Sequence, residues 1–342
     1  MINLKRGINL GGFLSQCDHT EDHYASFITN DDIKKIAEVG FDHVRLPIDC
    51  DFFQTKDGNF IDAHFDMLDN LVKLCKEVGL NIILDLHKAP GYDFNDAGDK
   101  DKNNLFASEE LQQAFLTLWD KISKTYGGYD HVALEILNEV VEKENAELWN
   151  ALIKRAVATI RKNTKCPIIY GGIQWNSAMT VKLLEKPEDD NIIFTFHFYE
   201  PLWFTHQKAY WVPTMDPNET VHYPMTMEEF VEGSKKLGYQ GEIVEKAAKA
   251  GVSTMGVPFL EFLIGGAVEA AKAAGVPLYC GEFGVIDRAP LEDTVRWYAD
   301  ADEAFRKYDI GYAAWNYRGK DFGLVDEHFS HIYDELISLW MK

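Results

Sequence analysis

Eight short apolar runs, rich in β-branched residues, recur along the chain and are separated by longer segments of helical period. The runs lie at Gly7–Leu10, His43–Pro47, Asn81–Leu86, Val132–Leu137, Pro167–Gly171, Ile192–Phe198, Pro277–Gly281 and Gly311–Trp315. Helical periodicity occupies Asp31–Val39, Ala63–Val78, Glu109–Tyr126, Ala146–Lys162, Ala267–Ala274, Leu291–Lys307 and His331–Met341. In the first of these helices Ile33, Ile36 and Ala37 form one apolar face, and Gly40 ends the helix before Phe41 re-enters the core. Strands joined through helices pair in parallel, because each crossover returns the chain to the same end of the sheet. Eight of them predict an α/β fold, a closed (β/α)8 TIM barrel. The 342 residues fit one such barrel over 1–342, although length alone would suggest two domains.

One connection breaks the rhythm. About 60 residues separate the sixth run from the helix near Ala267, against the usual handful. They include Trp203, Phe204, Tyr210 and Trp211, then two amphipathic segments, Met227–Leu237 and Glu242–Ala250. This predicts a helical insert over residues 202–263, seated on the C-terminal face of the barrel, where such folds carry their sites. Its aromatics suit packing and ligand stacking equally.

Charge and cysteine usage narrow the partners. With 55 acidic and 34 basic residues the formal net charge is −21, which repels nucleic acid and anionic membranes. A neutral substrate fits better, and a monomer is expected. The five cysteines are scattered and form no C-x-x-C pair, so neither a disulfide framework nor a zinc site is expected. No charged-then-apolar leader opens the chain and no run reaches membrane-spanning length. The expectation is a cytoplasmic protein as the chain stands, or a secreted one if a leader has been removed.

Polar residues gather at the C-terminal ends of the runs: Arg45 in VRLP, His87 in LDLHKAPG, Asn138 and Glu139 in LEILNE. His197 and Tyr199 follow in FHFY, Glu282 in YCGEFG and Trp315 in AAWNY. Strand alternation puts His197 with Tyr199 on one face, and Cys280 with Glu282 on one face. Two carboxylates at one barrel mouth are what retaining glycoside hydrolysis needs, one protonated to release the leaving oxygen and one ionised to attack. An arginine beside Glu282 would keep it anionic, while the negative field holds a proton on Glu139. Glu135 shares Glu139's face and is expected in the barrel interior among basic neighbours. His19 and His23 have helical metal spacing but no H-E-x-x-H pattern, so no metal and no cofactor is expected. Asp321-Phe322-Gly323 stands without the other kinase motifs, and GINLGG lacks dinucleotide-binding spacing.

Taken in order, GINLGG, HVRLP, LDLHKAPG, LEILNE, FHFY, CGEFG and AAWNY resemble the motifs of glycoside hydrolase family 5, cellulase family A. The resemblance runs from Gly7 to Trp315 and is closest to compact single-domain endoglucanases with a helical insert after the sixth strand. It implies Glu139 as acid/base and Glu282 as nucleophile, with Arg45 and Tyr199 as hydrogen-bond partners of Glu282. It implies Asn138 on the 2-hydroxyl of the −1 sugar, His87 and His197 lining that subsite, and Trp315 as the platform beneath it. The implied activity is retaining endo-β-1,4-glucan hydrolysis. Mixed-linkage glucan, glucomannan, mannan or xylan are the alternative substrates. A catalytically idle carbohydrate-binding barrel is the reading from another class, and the two intact glutamates argue against it. A metal-dependent barrel hydrolase finds no ordered ligand set. Two positions depart from the family pattern: Lys88 stands where many relatives have a second histidine, and Phe13 where close relatives often have tryptophan. His206, Gln207 and Trp211 of the insert, with Trp175 after the fifth strand, are expected on the aglycone side, and Trp203 among the substrate-binding residues. Asn138 and Glu139 are neighbours, so the chain must turn there for both to reach a sugar. Retention further requires a carboxyl separation of about 5–5.5 Å.

Overall fold

A computed structural model describes residues 2–238 and 241–342; Met1 and residues 239–240 of the insert lie outside the described residues. The strands are β1 (Arg6–Asn9), β2 (His43–Asp49), β3 (Asn81–Lys88), β4 (Val132–Glu135), β5 (Ile168–Gly171), β6 (Ile192–Phe198), β7 (Leu278–Phe283) and β8 (Gly311–Ala314). They form a closed barrel in sequence order. Gly7 of β1 stands opposite both His43 of β2 and Ala313 of β8, in parallel pairs that close the ring. The chain is a (β/α)8 barrel, as the strand count predicts.

The helices are α1 (Glu21–Ser26), α2 (Asn30–Val39), α3 (Cys50–Phe53), α4 (Asp62–Glu77), α5 (Glu109–Tyr126), α6 (Ala146–Ile160) and α7 (Leu202–Thr205). They continue with α8 (Met227–Leu237), α9 (Gly241–Lys249), α10 (Val257–Ala274), α11 (Leu291–Lys307), α12 (Glu327–Ser330) and α13 (Tyr333–Trp340). Between β5 and β6 there is only a 3-10 segment, Ala178–Leu183, and α10 packs against it. The four-to-six-residue helices α1, α3, α7 and α12 are too short to imprint a period on the sequence.

The insert boundary needs correction. Residues 257–263, expected in the insert, are the first turns of α10, which begins ten residues before the expected Ala267. Gly265 and Gly266 interrupt the helical signal because glycine is a poor helix former. Burial overrides propensity: Phe259, Leu260, Leu263, Ile264, Ala267, Val268 and Ala271 line the packed face of α10.

The barrel interior changes character along the strands. Near their N-terminal ends Ile83, Ala133, Ile169, Ile193, Tyr279 and Ala313 form an apolar plug, joined by Leu4. Two residues further along, the same face carries Asp85, Glu135 and Thr195, all buried, and two more bring His87 and His197. β7 reaches this layer by an irregularity. Tyr279 belongs to the interior plug and Cys280 to the outer core, so strict alternation would send Glu282 outward with Cys280. Instead the register shifts: Phe196 pairs with Cys280 but His197 with Glu282, leaving Gly281 as the extra residue of a bulge. The expectation that simple alternation presents Glu282 is thus replaced by a bulge that turns it inward. Asn9 Nδ2 donates to Gly281 O at 2.9 Å and holds the bulge in place. β4 likewise stops at Glu135, before the expected Leu137, and the chain bends at Asn138, the turn its adjacent polar pair requires.

Candidate active site

Arg45 is the hub of the site. It sits on β2 and is fully buried. Its Nε donates to Glu135 Oε2 at 2.8 Å and one terminal nitrogen to Glu135 Oε1 at 3.0 Å. The remaining N–H groups reach Glu282 Oε1 at 2.8 Å, Asn138 Oδ1 at 2.8 Å and Asn9 Oδ1 at 3.0 Å. Asp85 Oδ2 lies 3.0 Å from the guanidinium. Burial opposes the charge of Arg45, and Asp85, Glu135 and Glu282 together overcome it, holding the group cationic. Glu135 is therefore structural, ion-paired in the barrel interior.

Glu282 accepts a second hydrogen bond at Oε2, from Tyr199 OH at 2.9 Å. Burial, then Glu282 and Glu139, push the Tyr199 phenol well above its ordinary range, so it stays a donor. Both oxygens of Glu282 thus accept, the pattern of a carboxylate. Glu139 differs. Its Oε1 lies 2.7 Å from His197 Nδ1, and burial raises it to about 7. His197 is lowered to about 4, chiefly by burial, and so is neutral. Glu139, His197 and Glu282 each offer an atom within 4.8 Å of the others. That spacing also suits metal ligands, but the Arg45 guanidinium 2.8 Å from Glu282 already occupies the cation's electrostatic role.

A second layer supports this pair. His87 Nδ1 is 2.7 Å from Asp85 Oδ2, which links it to Arg45. Its ring stacks on Trp315 with centroids 6.0 Å apart and planes at 7°. Asn138, whose Oδ1 is held by Arg45, has a buried Nδ2 without a hydrogen-bond partner among the described residues. Lys88 pairs with Asp93 at 2.6 Å, and Phe13 is buried.

The insert residues separate into two groups. His206 packs edge-on to Tyr199 at 5.0 Å and to Trp211 at 6.1 Å, so Trp211 connects to the partner of Glu282 through one ring. Trp211 is 41% exposed and Tyr210 80%, an aromatic pair open to solvent. Gln207 is buried and clasps Val221 through both backbone groups, a packing role. Trp203, expected to face substrate, is instead used inside the insert. Its Nε1 donates to Glu219 at 3.1 Å, Lys236 lies over its ring at 5.4 Å, and a Cβ on Gly233 would fall 2.0 Å from that ring. Trp175 is 54% exposed and sits in a run of three left-handed residues, Gln174 to Asn176, after β5.

Four further residues belong to the site and were not singled out from sequence: Asn9, Gln16, Asp49 and Asp85. Asn9 and Asp85 are polar residues inside apolar runs, a signal that could have found them. Asp49 anchors the loop after β1, accepting from Ser15 Oγ at 2.7 Å and from Gln16 N at 2.9 Å.

The family profile for cellulase (glycosyl hydrolase family 5) matches residues 6–321. Endoglucanase C of Acetivibrio thermocellus is 37% identical over 99% of this chain and 98% of its own length. Cellodextrinase A of Ruminococcus flavefaciens is 36% identical over 89% of this chain and 83% of its own. Among solved structures, Thermotoga maritima Cel5A in complex with cellobiose superposes with a TM-score of 0.73 at 26% identity, covering 98% of this chain and 97% of that one. The same protein in complex with mannotriose gives 0.72 at 25% identity, with the same coverage.

Proposed function

Because the chain belongs to glycosyl hydrolase family 5 and is a glycoside hydrolase of the cellulase type, we propose that it cleaves β-1,4-glucan internally, with retention, by double displacement. The observation that carries the mechanism is the approach of one carboxyl oxygen of Glu139 to within 4.8 Å of one of Glu282. Retaining pairs stand about 5–5.5 Å apart, whereas inverting pairs need about 6.5–9.5 Å to admit a water.

In the first step a Glu282 oxygen attacks the anomeric carbon while Glu139 gives its proton to the departing glycosidic oxygen. Arg45 and Tyr199 fix the orientation of Glu282. His197 Nδ1 lies 2.7 Å from Glu139 Oε1; as the Nδ1–H tautomer it would donate there and leave the other oxygen to carry the proton. Glu139, now a carboxylate, then takes a proton from water, which attacks the same carbon and releases Glu282. Asn138 Nδ2 is available for the sugar's 2-hydroxyl, and Trp315, braced by His87, forms the floor of the −1 subsite. The insert walls the aglycone side, with Trp211 and His206 facing it, and Trp175 serves the same side from the β5 loop. All these groups come from one chain, so the machinery is complete in a monomer.

The relatives' names favour glucan, and the mannotriose complex of Thermotoga maritima Cel5A favours mannan as a second substrate. Initial rates on barley β-glucan, carboxymethylcellulose, glucomannan and mannan decide between them. Proton NMR of early hydrolysis should show the β-anomer; the α-anomer would remove the retaining mechanism. Glu282→Ala should lose at least about 10³-fold in kcat and recover with azide, yielding the α-glycosyl azide.

A further inference from the structure

The loop after β1 carries one side chain to the edge of the catalytic network. Gln16 Nε2 lies 3.1 Å from His87 Nε2. An amide nitrogen can only donate, so the ring nitrogen facing it accepts and the ring proton sits on Nδ1. That proton points at Asp85 Oδ2, 2.7 Å away, an oxygen that also lies 3.0 Å from the Arg45 guanidinium. We propose that Gln16 is a positioning residue that holds His87 as the neutral Nδ1–H tautomer.

The backbone at this position supports a role for the side chain. Gln16 has φ of 53°, in the left-handed region that glycine occupies without strain. The fold keeps a glutamine there and pins it from both sides: its N–H donates to Asp49 Oδ2 at 2.9 Å, and its carbonyl accepts from Lys320 Nζ. Turning the amide over would place Gln16 Oε1 against His87 and require Nε2–H. Asp85 would then face a bare Nδ1 unless it carried a proton of its own, which burial favours and the Arg45 guanidinium 3.0 Å away opposes, or the ring would have to carry a charge that burial disfavours.

His87 is faced by charges from every side: Asp85 on its own strand, Arg45 and Asp49 from β2, Glu139 beyond β4, and Glu282 from β7. A proton gained on His87 would stabilise the Glu139 carboxylate, and Gln16 keeps that proton off. This consequence rests on Glu139 being the acid; the tautomer itself does not.

Gln16→Glu tests it, since the change is isosteric at a half-buried site and replaces a donor with an acceptor. The His87 ring nitrogens, followed by ¹⁵N NMR and assigned by their loss in His87→Asn, should be neutral and Nδ1-protonated in the parent enzyme. In Gln16→Glu the ring should hold a second proton to a pH about one unit higher, and the alkaline limb of kcat/KM should fall by about one unit. Gln16→Met, which fills the space without a hydrogen bond, should leave that limb in place while lowering kcat/KM. An Nε2–H tautomer in the parent, or a ring in Gln16→Glu that titrates as before, overturns the proposal. So does an equal shift of the limb in Gln16→Met. A ring that gains its proton while the limb stays put upholds Gln16 and removes Glu139 as the acid.

Discussion

On the proposed mechanism, two glutamates with identical side chains do opposite jobs because of what surrounds them. Glu282 meets an arginine and a phenol, both donors, while Glu139 meets a single neutral imidazole. Burial raises Glu139 to about 7, so the acid is loaded below that pH and empties above it. The alkaline limb of kcat/KM should therefore fall near pH 7, and a limb above pH 9 would remove this assignment. The sequence pointed to both glutamates, since six of the eight apolar runs end in polar or aromatic residues at a common edge. It did not point to Gln16. Its part in the site lies in a positive φ and a contact to a residue 71 positions away, and neither marks the sequence. Asn9 and Asp85 were half-legible, polar residues within apolar runs whose purpose appears only once Arg45 is placed between them.

Elements show where local preference lost to packing. β7 reads as a simple alternating strand, yet Gly281 makes a bulge, because the barrel register must slip for Glu282 to face the cleft. Adding a Cβ there would bring it 3.0 Å from Thr195 Oγ1 and 3.2 Å from His197 Nε2, so the position is tight. Gly265 and Gly266 hid the first half of α10 from the periodicity. Nothing lies within 4 Å of a Cβ built on Gly266, and the residue is exposed in mid-helix. Gly266→Ala should raise stability by roughly 0.5–1 kcal/mol, measured by urea denaturation; a loss would mean the helix needs that glycine for packing. The insert's tryptophans should likewise divide. Trp211→Ala should raise KM for long glucans several-fold with little change for short aryl glycosides. Trp203→Ala should lower the melting temperature through lost packing on α8, with KM for the two substrates moving together. Sequence showed both tryptophans as equal members of one aromatic stretch; the contacts of one ring with Gly233, Glu219 and Lys236 separate them.

At the scale of the whole molecule the barrel and its order of strands were readable, because eight buried runs admit few other arrangements. The lack of a full helix between β5 and β6 was visible only as a gap. The surface charge has its own consequence. A molecule of net charge −21 repels carboxymethylcellulose but not an uncharged β-glucan. Raising salt from about 10 to about 150 mM shortens the screening length from about 30 to about 8 Å, so KM for the charged polymer should fall while KM for barley β-glucan stays level. Equal responses would show that the cleft, not the surface, governs capture. The insert, finally, stands on two legs that are both strands of the proposed active site. It leaves the barrel from β6, which carries His197, and returns through α10 to β7, which carries Glu282. A tug on it, from a polymer under tension or a fused passenger domain, would spread the two legs. The stitches from Ile286 N to Thr205 O at 2.9 Å and from Trp297 Nε1 to Glu200 O at 2.9 Å brace them like a strut, shunting the load into the loop behind β7 and the rim helix α11.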